Sequence, residues 1–398
     1  MSKEKKTLLI ITHQPLTKFI SERIGLKVKK KNWNKKYLYI LPLLNKKLFN
    51  KLENSGYRNI KNTNFYTIRS FSSLFNHIKF LKKNFFYINL APGFVFTSII
   101  EIILKLQKGK KIILTHSYSL GEVDSYIKSF HELSKFDFIF SIKKTFFTII
   151  SLFKKLILKI LYVSPHLYFC GNQITYERAP VKKEKKFKTN SFDYNKFLLT
   201  KKNNNKKSDI VFLDSAIENS FDFNLMGVTK NYFNKTLYWQ AILEIFKNIE
   251  EQNNGKKIII ASHMRRNIND QPIKRRFIFD KTIDLIKNSK LVIAHNSLSL
   301  QWALLFKKPV VLIYVECFKY LAIENTKEIK NYSKALDLKI IYVDKNFQVN
   351  LNKIGSLKKI KVNKKKYLNF VKRYTNFPNL SNKPKDQFLT VLENIDKF

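Results

Sequence analysis

The sequence predicts an α/β protein made of two doubly wound parallel-sheet domains, and two observations carry that expectation. Short apolar runs rich in β-branched residues recur along the 398-residue chain, each bounded by polar or turn residues, as strands buried on both faces read. The segments between them place apolar residues at i, i+3 and i+4, so the order is a repeated β-α-β. A Lys- and Asn-dense stretch with little to bury divides the series. The expected organisation is an N-terminal domain over 1–181, a linker over 182–207, a C-terminal domain over 208–364 and closing helices over 365–398.

In chain order, residues 8–12 form the first strand, which ends in the polar loop Thr12-His13-Gln14-Pro15. Residues 37–41 are the second strand, 45–54 and 72–82 carry helical patterns, and 86–90 is the third strand. A strongly apolar helix over 97–107 stops at Gly109. The strand at 111–115 runs into His116-Ser117-Tyr118, with Glu122, Asp124 and Tyr126 beyond it, so a His and a carboxylate again follow a strand.

Over 144–162, Thr148, Ser151, Lys155 and Lys159 recur three or four apart among Phe, Ile and Leu, the pattern of a basic amphipathic helix with a wide apolar face. Its lysines interrupt the run of about 20 apolar residues that a bilayer span needs. Two readings of it stand: a core helix docked on the sheet, or a helix lying in an anionic membrane surface. Residues 166–170 close this half as a short strand.

The second half opens with a strand at 209–213 and an acidic loop containing Asp214, Glu218 and Asp222, then a long helix at 232–251. Strands follow at 258–261, 291–294 and 310–314, separated by helices at 282–288 and 299–306 with Thr282 and Ser299 as N-caps. A last strand at 339–343 precedes helices at 365–374 and 385–396. His263 and Arg265 follow one strand, and His295, Asn296 and Ser297 follow the next, so both groups sit at carboxyl ends, where open α/β sheets bind ligands. The helix starting near Ser299 would add N–H groups and a positive dipole end suited to phosphate. Either His alone reads equally well as a satisfied loop residue. Two His, an Arg and hydroxyls converging on one edge point instead to a site.

Lys plus Arg number 75 against 29 Asp plus Glu, a net charge of +46 that attracts polyanions. Because Lys, Asn, Ile and Phe are abundant throughout, charge alone identifies no partner. No zinc finger, RNP-type aromatic strand or basic zipper appears, so nucleic acid is not an expected partner. Two cysteines, Cys170 and Cys317, make neither a disulfide framework nor a thiolate metal site and fit a reducing compartment. The N-terminal apolar run reads as a strand, not a signal peptide.

The segments IIIASHMRRN and FDKTIDLIKNSKLVIAHNSLSLQWALLFKKPVVLI sharpen the reading. They resemble the C-terminal half of the two-Rossmann (GT-B) glycosyltransferases of bacterial capsule and surface-polysaccharide biosynthesis. That family carries a His-Pro-Arg after one strand, a Lys-Thr opening a helix, and a His-x-Ser-x-Ser after the next strand. The matching positions here are His263, Arg265, Lys281, Thr282, His295, Ser297 and Ser299, with Met264 standing where proline is usual. In the N-terminal half only THSYSLGEVDSY, with His116, Asp124 and Tyr126, looks like the family's pattern.

The resemblance implies two Rossmann-like domains facing a cleft, an acceptor domain over 1–181 and a nucleotide-sugar donor domain over 208–364. It implies metal-independent transfer, with no cofactor, from a nucleotide sugar to a surface glycan or lipid-linked acceptor, in the cytoplasm at the inner face of the membrane. A CMP-linked acidic sugar is one donor it suggests. The implied donor-binding set is His263, Arg265, Lys281, Thr282, His295, Asn296, Ser297 and Ser299. Inverting transfer needs a base for the acceptor hydroxyl and cationic or N–H groups for the departing phosphate. Asp124 is the expected base, with His13 or His116 in reserve, although Asp124 fits equally well as a solvated residue near a helix start. The basic surface and the 144–162 helix would give peripheral contact with anionic membrane. The competing readings are a nucleotide-sugar epimerase of related fold and a non-enzymatic polyanion or nucleic-acid binder.

Overall fold

Leu8, Leu9, Ile10 and Ile11 are each at most 1% exposed, although successive strand residues point to opposite faces. The strand they form is therefore covered on both sides. The computed structural model describes residues 5–54, 62, 64–79, 81, 85–91, 95–115, 164–200, 209–217, 233–263, 266, 269, 271–318, 323–350, 360–377, 380 and 383–398. In it the first half runs β1 (Lys6–Thr12), α1 (Lys18–Arg23), β2 (Trp33–Tyr39), α2 (Leu41–Leu44), α3 (Lys46–Asn54), β3 (Phe65–Thr67), α4 (Phe71–Lys79), β4 (Phe86–Asn89), α5 (Val95–Leu106), β5 (Lys110–Leu114), β6 (Leu167–Cys170), α6 (Gln173–Arg178), a 3-10 turn (Lys183–Lys185) and β7 (Lys186–Lys188). These strands make a seven-stranded sheet in the order β3-β2-β1-β4-β5-β6-β7, with every neighbouring pair parallel. One face packs on α1 and the residues flanking it through Leu16, Ile20 and Ile24, the other on α4 and α5 through Leu74, Ile78, Ile100 and Leu104.

The second half repeats the plan. After α7 (Phe192–Thr200) come β8 (Asp209–Leu213), α8 (Lys235–Gln252), β9 (Ile258–Ala261), β10 (Phe277–Ile278), α9 (Thr282–Asn288), β11 (Ser289–Ala294), α10 (Leu300–Leu305), β12 (Val310–Val315), α11 (Ile323–Leu336), β13 (Lys339–Val343), β14 (Val349–Asn350), α12 (Lys364–Tyr374) and α13 (Gln387–Ile395). Its sheet order is β10-β9-β8-β11-β12-β13-β14, parallel except for the antiparallel β13–β14 edge. Each half is thus an open, mainly parallel sheet whose strand order reverses beside its first strand, between β1 and β4 and between β8 and β11. The helix α8 begins at Asn234, whose side chain accepts the Leu237 N–H. In its last turn Glu250 accepts bonds from Arg275 at 2.7 Å and from the Ile258 N–H at 2.9 Å and so ties the helix end to the start of β9.

Three expectations need correction or placement. The 182–207 stretch is not an unstructured linker over its described part. Lys186–Lys188 joins the first sheet beside β6, with Phe187 stacked on Phe169 at 5.0 Å and Lys188 lying 5.1 Å over Tyr176, so its lysine stems have aromatic surface to cover. Phe192–Thr200 is a helix of the second domain: Tyr194 and Leu198 enter its core, and Trp302 donates to the Asp193 carbonyl at 2.9 Å. The helix expected over 144–162 lies outside the described residues. The closing helices do not act together: α12 packs on the second domain through Tyr367 and Phe370, whereas α13 returns to the first and buries Phe388, Val391, Leu392 and Ile395 against Leu8 and Ile10.

At the end of α5 the left-handed residue is Lys108, with φ 63°, not Gly109. Gly109 is demanded by space instead, since a Cβ there would lie 2.7 Å from the Phe85 ring.

Candidate functional site

The loops after β8 and β11 diverge at the switch point of the second sheet, and the loop after β9 lies beside them. Asp214, the first residue beyond β8, is 4% exposed and fully engaged. Arg266 donates to it twice, Nε to Oδ2 at 2.6 Å and Nη2 to Oδ1 at 3.1 Å, and the Ala216 N–H donates at 2.8 Å. The Arg266 guanidinium also lies 5.4 Å over Trp239 and 5.5 Å over Phe277. A bidentate pair between aromatic faces is the geometry that Arg fills and Lys does not. The pair locks the chain after β9 onto the end of β8, with the His263 N–H pointing at Asp214 Oδ2 across 3.5 Å. His263 itself is half-buried at this edge.

His295 is placed differently from the expectation that it contacts a ligand. Its ring is 1% exposed and both nitrogens face protein groups: Nδ1 lies 2.9 Å from the Ile313 carbonyl and Nε2 lies 2.9 Å from the Tyr238 hydroxyl. A carbonyl only accepts, so Nδ1 carries the proton, and the Tyr238 O–H donates to Nε2. Burial pushes the imidazole down to about 4, outweighing the Ile313 carbonyl and the Asp214 charge, so the ring is neutral near pH 7. Phe212 and Phe318 edge onto it at 5.7 and 5.3 Å. His295 therefore holds the base of the following turn.

That turn presents the polar groups. Asn296 donates to Glu328 of α11, and the Ser297 hydroxyl accepts the Ser299 N–H at 3.3 Å. Ser299 occupies the N-cap position of α10 but makes no side-chain capping bond, so the serine expected as the cap has its own N–H turned to Ser297. Asn296, Ser297 and Ser299 are half-buried at the carboxyl edge. Lys281 and Thr282 open α9 after the edge strand β10, two strands from β8. The N-cap position there belongs to Lys281, not Thr282, and has no side-chain bond. Arg265 lies outside the described residues.

In the first domain His13 follows β1 directly and is 7% exposed, beside the end of β4 at the equivalent switch point. The Thr12 hydroxyl turns the chain there by accepting the Gln14 N–H at 3.1 Å. Asp124 and His116 lie outside the described residues. Among the described residues there is no group of three or more His, Cys, Asp and Glu that could hold a metal ion.

Sequence reasoning missed Arg266, Tyr238 and Glu328. Asp214 was visible as an acid just past a strand, but its partner is 52 positions away. Tyr238 sits in a helix whose other buried residues, Glu250 apart, are ordinary core, and only the hydroxyl distinguishes it from them.

No family model matches the chain, and no curated protein matches it. Among solved structures it is similar to the wall teichoic acid polymerase TagF, with a TM-score of 0.54 and 13% identity over 98% of this chain and 89% of that one. It is similar to UGT2 of Phytolacca americana complexed with UDP-2fluoro-glucose and pterostilbene, at 0.50 and 9% over 100% of both chains. The UDP-GlcNAc 2-epimerase from Neisseria meningitidis bound to UDP-GlcNAc aligns at 0.49 and 12% over 99% of this chain and 100% of that one. The likeness to TagF and UGT2 is one of fold. The chain has the two-Rossmann-like GT-B fold, two mainly parallel seven-stranded sheets with helices.

Proposed function

We propose that the protein is a glycosyltransferase that binds a nucleotide-activated sugar on its second domain and transfers the sugar to a glycan or lipid-linked acceptor. The observation that carries this reading is the switch point of the second sheet. There the Asp214–Arg266 clamp and the buried His295 fix two loops that offer half-buried His263, Asn296, Ser297 and Ser299 at one carboxyl edge. Such groups suit a phosphate that gains charge as the sugar leaves, because fixed N–H and O–H donors stabilise it without reorganising. Arg265, Lys281 and Thr282 complete the proposed donor set. His295 acts in it as a positioning residue, through the turn it anchors. The proposed base is Asp124, with His13 or His116 in reserve. TagF and UGT2 share this fold, and the UGT2 structure holds a UDP-linked fluoro-sugar. That agrees with a nucleotide-sugar ligand here, and a CMP-linked acidic sugar is one donor that the His and Ser pattern suggests.

Turnover tests the reading. The purified chain, given CMP-, UDP- and GDP-sugars with and without short glycan acceptors, should release one nucleotide only when an acceptor is present. Asp124→Asn should slow that release while leaving donor binding in place. Conversion of the sugar to an epimer with no acceptor present would replace transfer by epimerisation, and no turnover of any nucleotide sugar would remove the enzymatic reading.

A further inference from the structure

Helices α4 and α5 lie on the same face of the first sheet, because Leu74 and Ile78 of one and Ile100 and Leu104 of the other bury into a single cluster with Leu9, Ile11 and Tyr87. Their outer surfaces mix apolar groups with polar ones such as Ser72 and Asn76, where helices of a globular domain usually turn a polar face to water. On α4, Phe71 is 37% and Phe75, one turn on, 48% exposed. On α5, Ile99 is 42% and Leu106 78% exposed, with Ile102 half-buried between them. Scattered exposed apolar residues are ordinary, but here two helices on one face of the sheet both carry aromatic or aliphatic side chains outward.

On the two helices the outward charges have one sign, and the nearest exposed carboxylate among the described residues before α4, Glu53, is paired with Arg69 at 3.5 Å. Lys79 ends α4, and Lys105 and Lys108 end α5, all exposed. The one carboxylate on either helix, Glu101, is turned into the domain and held there by Lys111 and Asn89, each at 2.7 Å. Two helix faces that turn apolar side chains and lysines outward, and no carboxylate among their described residues, are complementary to a lipid surface that offers acyl chains inside a layer of anionic headgroups. A second copy would set the same lysine rims against each other, which like-charge repulsion disfavours.

We propose that the outer face of α4 and α5 is a docking surface for an anionic lipid bilayer, Phe75, Ile99 and Leu106 entering the headgroup–acyl boundary and the lysines pairing with headgroup charge. No helix among the described residues is long and apolar enough to cross a membrane, so the contact is with a surface. It lies on a different stretch of chain from 144–162, and it does not rest on the donor assignment, since lipid binding is read without any nucleotide.

The test is co-sedimentation of the full chain with vesicles of phosphatidylcholine alone and of an equimolar mixture with phosphatidylglycerol. The wild type should bind the mixed vesicles, not the neutral ones, and less as salt rises. Phe75→Ser with Leu106→Ser should lower the bound fraction about tenfold, the loss that removing inserted apolar side chains brings. Lys79→Glu with Lys105→Glu should lower it comparably. All four residues are exposed, so melting temperatures should hold. Wild-type levels of binding by both variants would overturn the proposal by placing the contact elsewhere on this basic surface. So would absence of binding by the wild type, or lipid-free self-association that Phe75→Ser with Leu106→Ser abolishes, which would make a second copy the occupant.

Discussion

His295 shows how a residue singled out for ligand chemistry can have both ring nitrogens engaged by protein groups. Its folded value is about 4 against 6.5 for an ordinary imidazole, because burial penalises the charged ring. Between those values the unfolded chain takes up a proton that the folded chain refuses. The stability contributed by the neutral ring is therefore fully present above pH 6.5 and is lost as pH falls toward 4. The loss is of the order of 3 kcal/mol over that window. Urea unfolding as a function of pH should show this slope, and His295→Gln should flatten it while lowering stability at neutral pH. An unchanged slope in the variant would assign the pH dependence to other groups. At this scale the sequence was half legible. A His after a strand announces an edge position, but which way the ring points depends on Tyr238 and Ile313, which lie 57 positions before it and 18 after it. Arg266 was illegible for the same reason: its carboxylate belongs to a different β-α unit.

Among the elements, the strands were the most legible, since a run buried on both faces has few other ways to read. Strands at 209–213, 258–261 and 339–343 form where the apolar runs stand. What composition hid were elements made of charged residues. β7 is Lys-Phe-Lys and α7 follows a lysine-rich block, so both read as linker until their aromatic contacts are known. Helix α11 carries its apolar residues Ile329, Tyr332 and Leu336 at i, i+3 and i+7 among many lysines and asparagines, and all three are buried. The two-residue strands β10 and β14 are too short to show any period. The return of α13 to the first domain depends on Gly25, which has φ +63° and leaves room for Phe388, whose Cβ would lie 2.5 Å from an added methyl. Gly25→Ala should therefore cost at least about 1 kcal/mol in global stability. It should also loosen α13, which limited proteolysis of the C-terminal helix would report. Wild-type stability and protection would mean that α1 and α13 shift apart without penalty. The Asp396 carboxylate, which accepts the Trp33 indole N–H at 2.9 Å and pairs with Lys30, gives the helix a second attachment.

For the whole molecule, two sheets of the same strand order, joined by α7 and closed by a helix that crosses back, set two switch points in one chain. The GT-B architecture was legible because it is written in period and order, which survive when sequence identity does not. Ligand identity is not written that way. The +46 charge is spread along the sequence and says only that anions of many kinds are attracted. The proposed function requires a nucleotide on the second domain, at the turn fixed by His295 and the loop fixed by Arg266. It is tested most directly by thermal shift of the full chain with CMP, UDP, GDP, CDP and ADP at moderate salt, because a ligand that binds only the folded state raises its melting temperature. One nucleotide should raise it selectively, and His263→Ala or Ser297→Ala should remove the shift without lowering the ligand-free melting temperature. Equal shifts from all the nucleotides and from nucleic acid, kept in both variants, would contradict the claim and leave a general polyanion surface in its place.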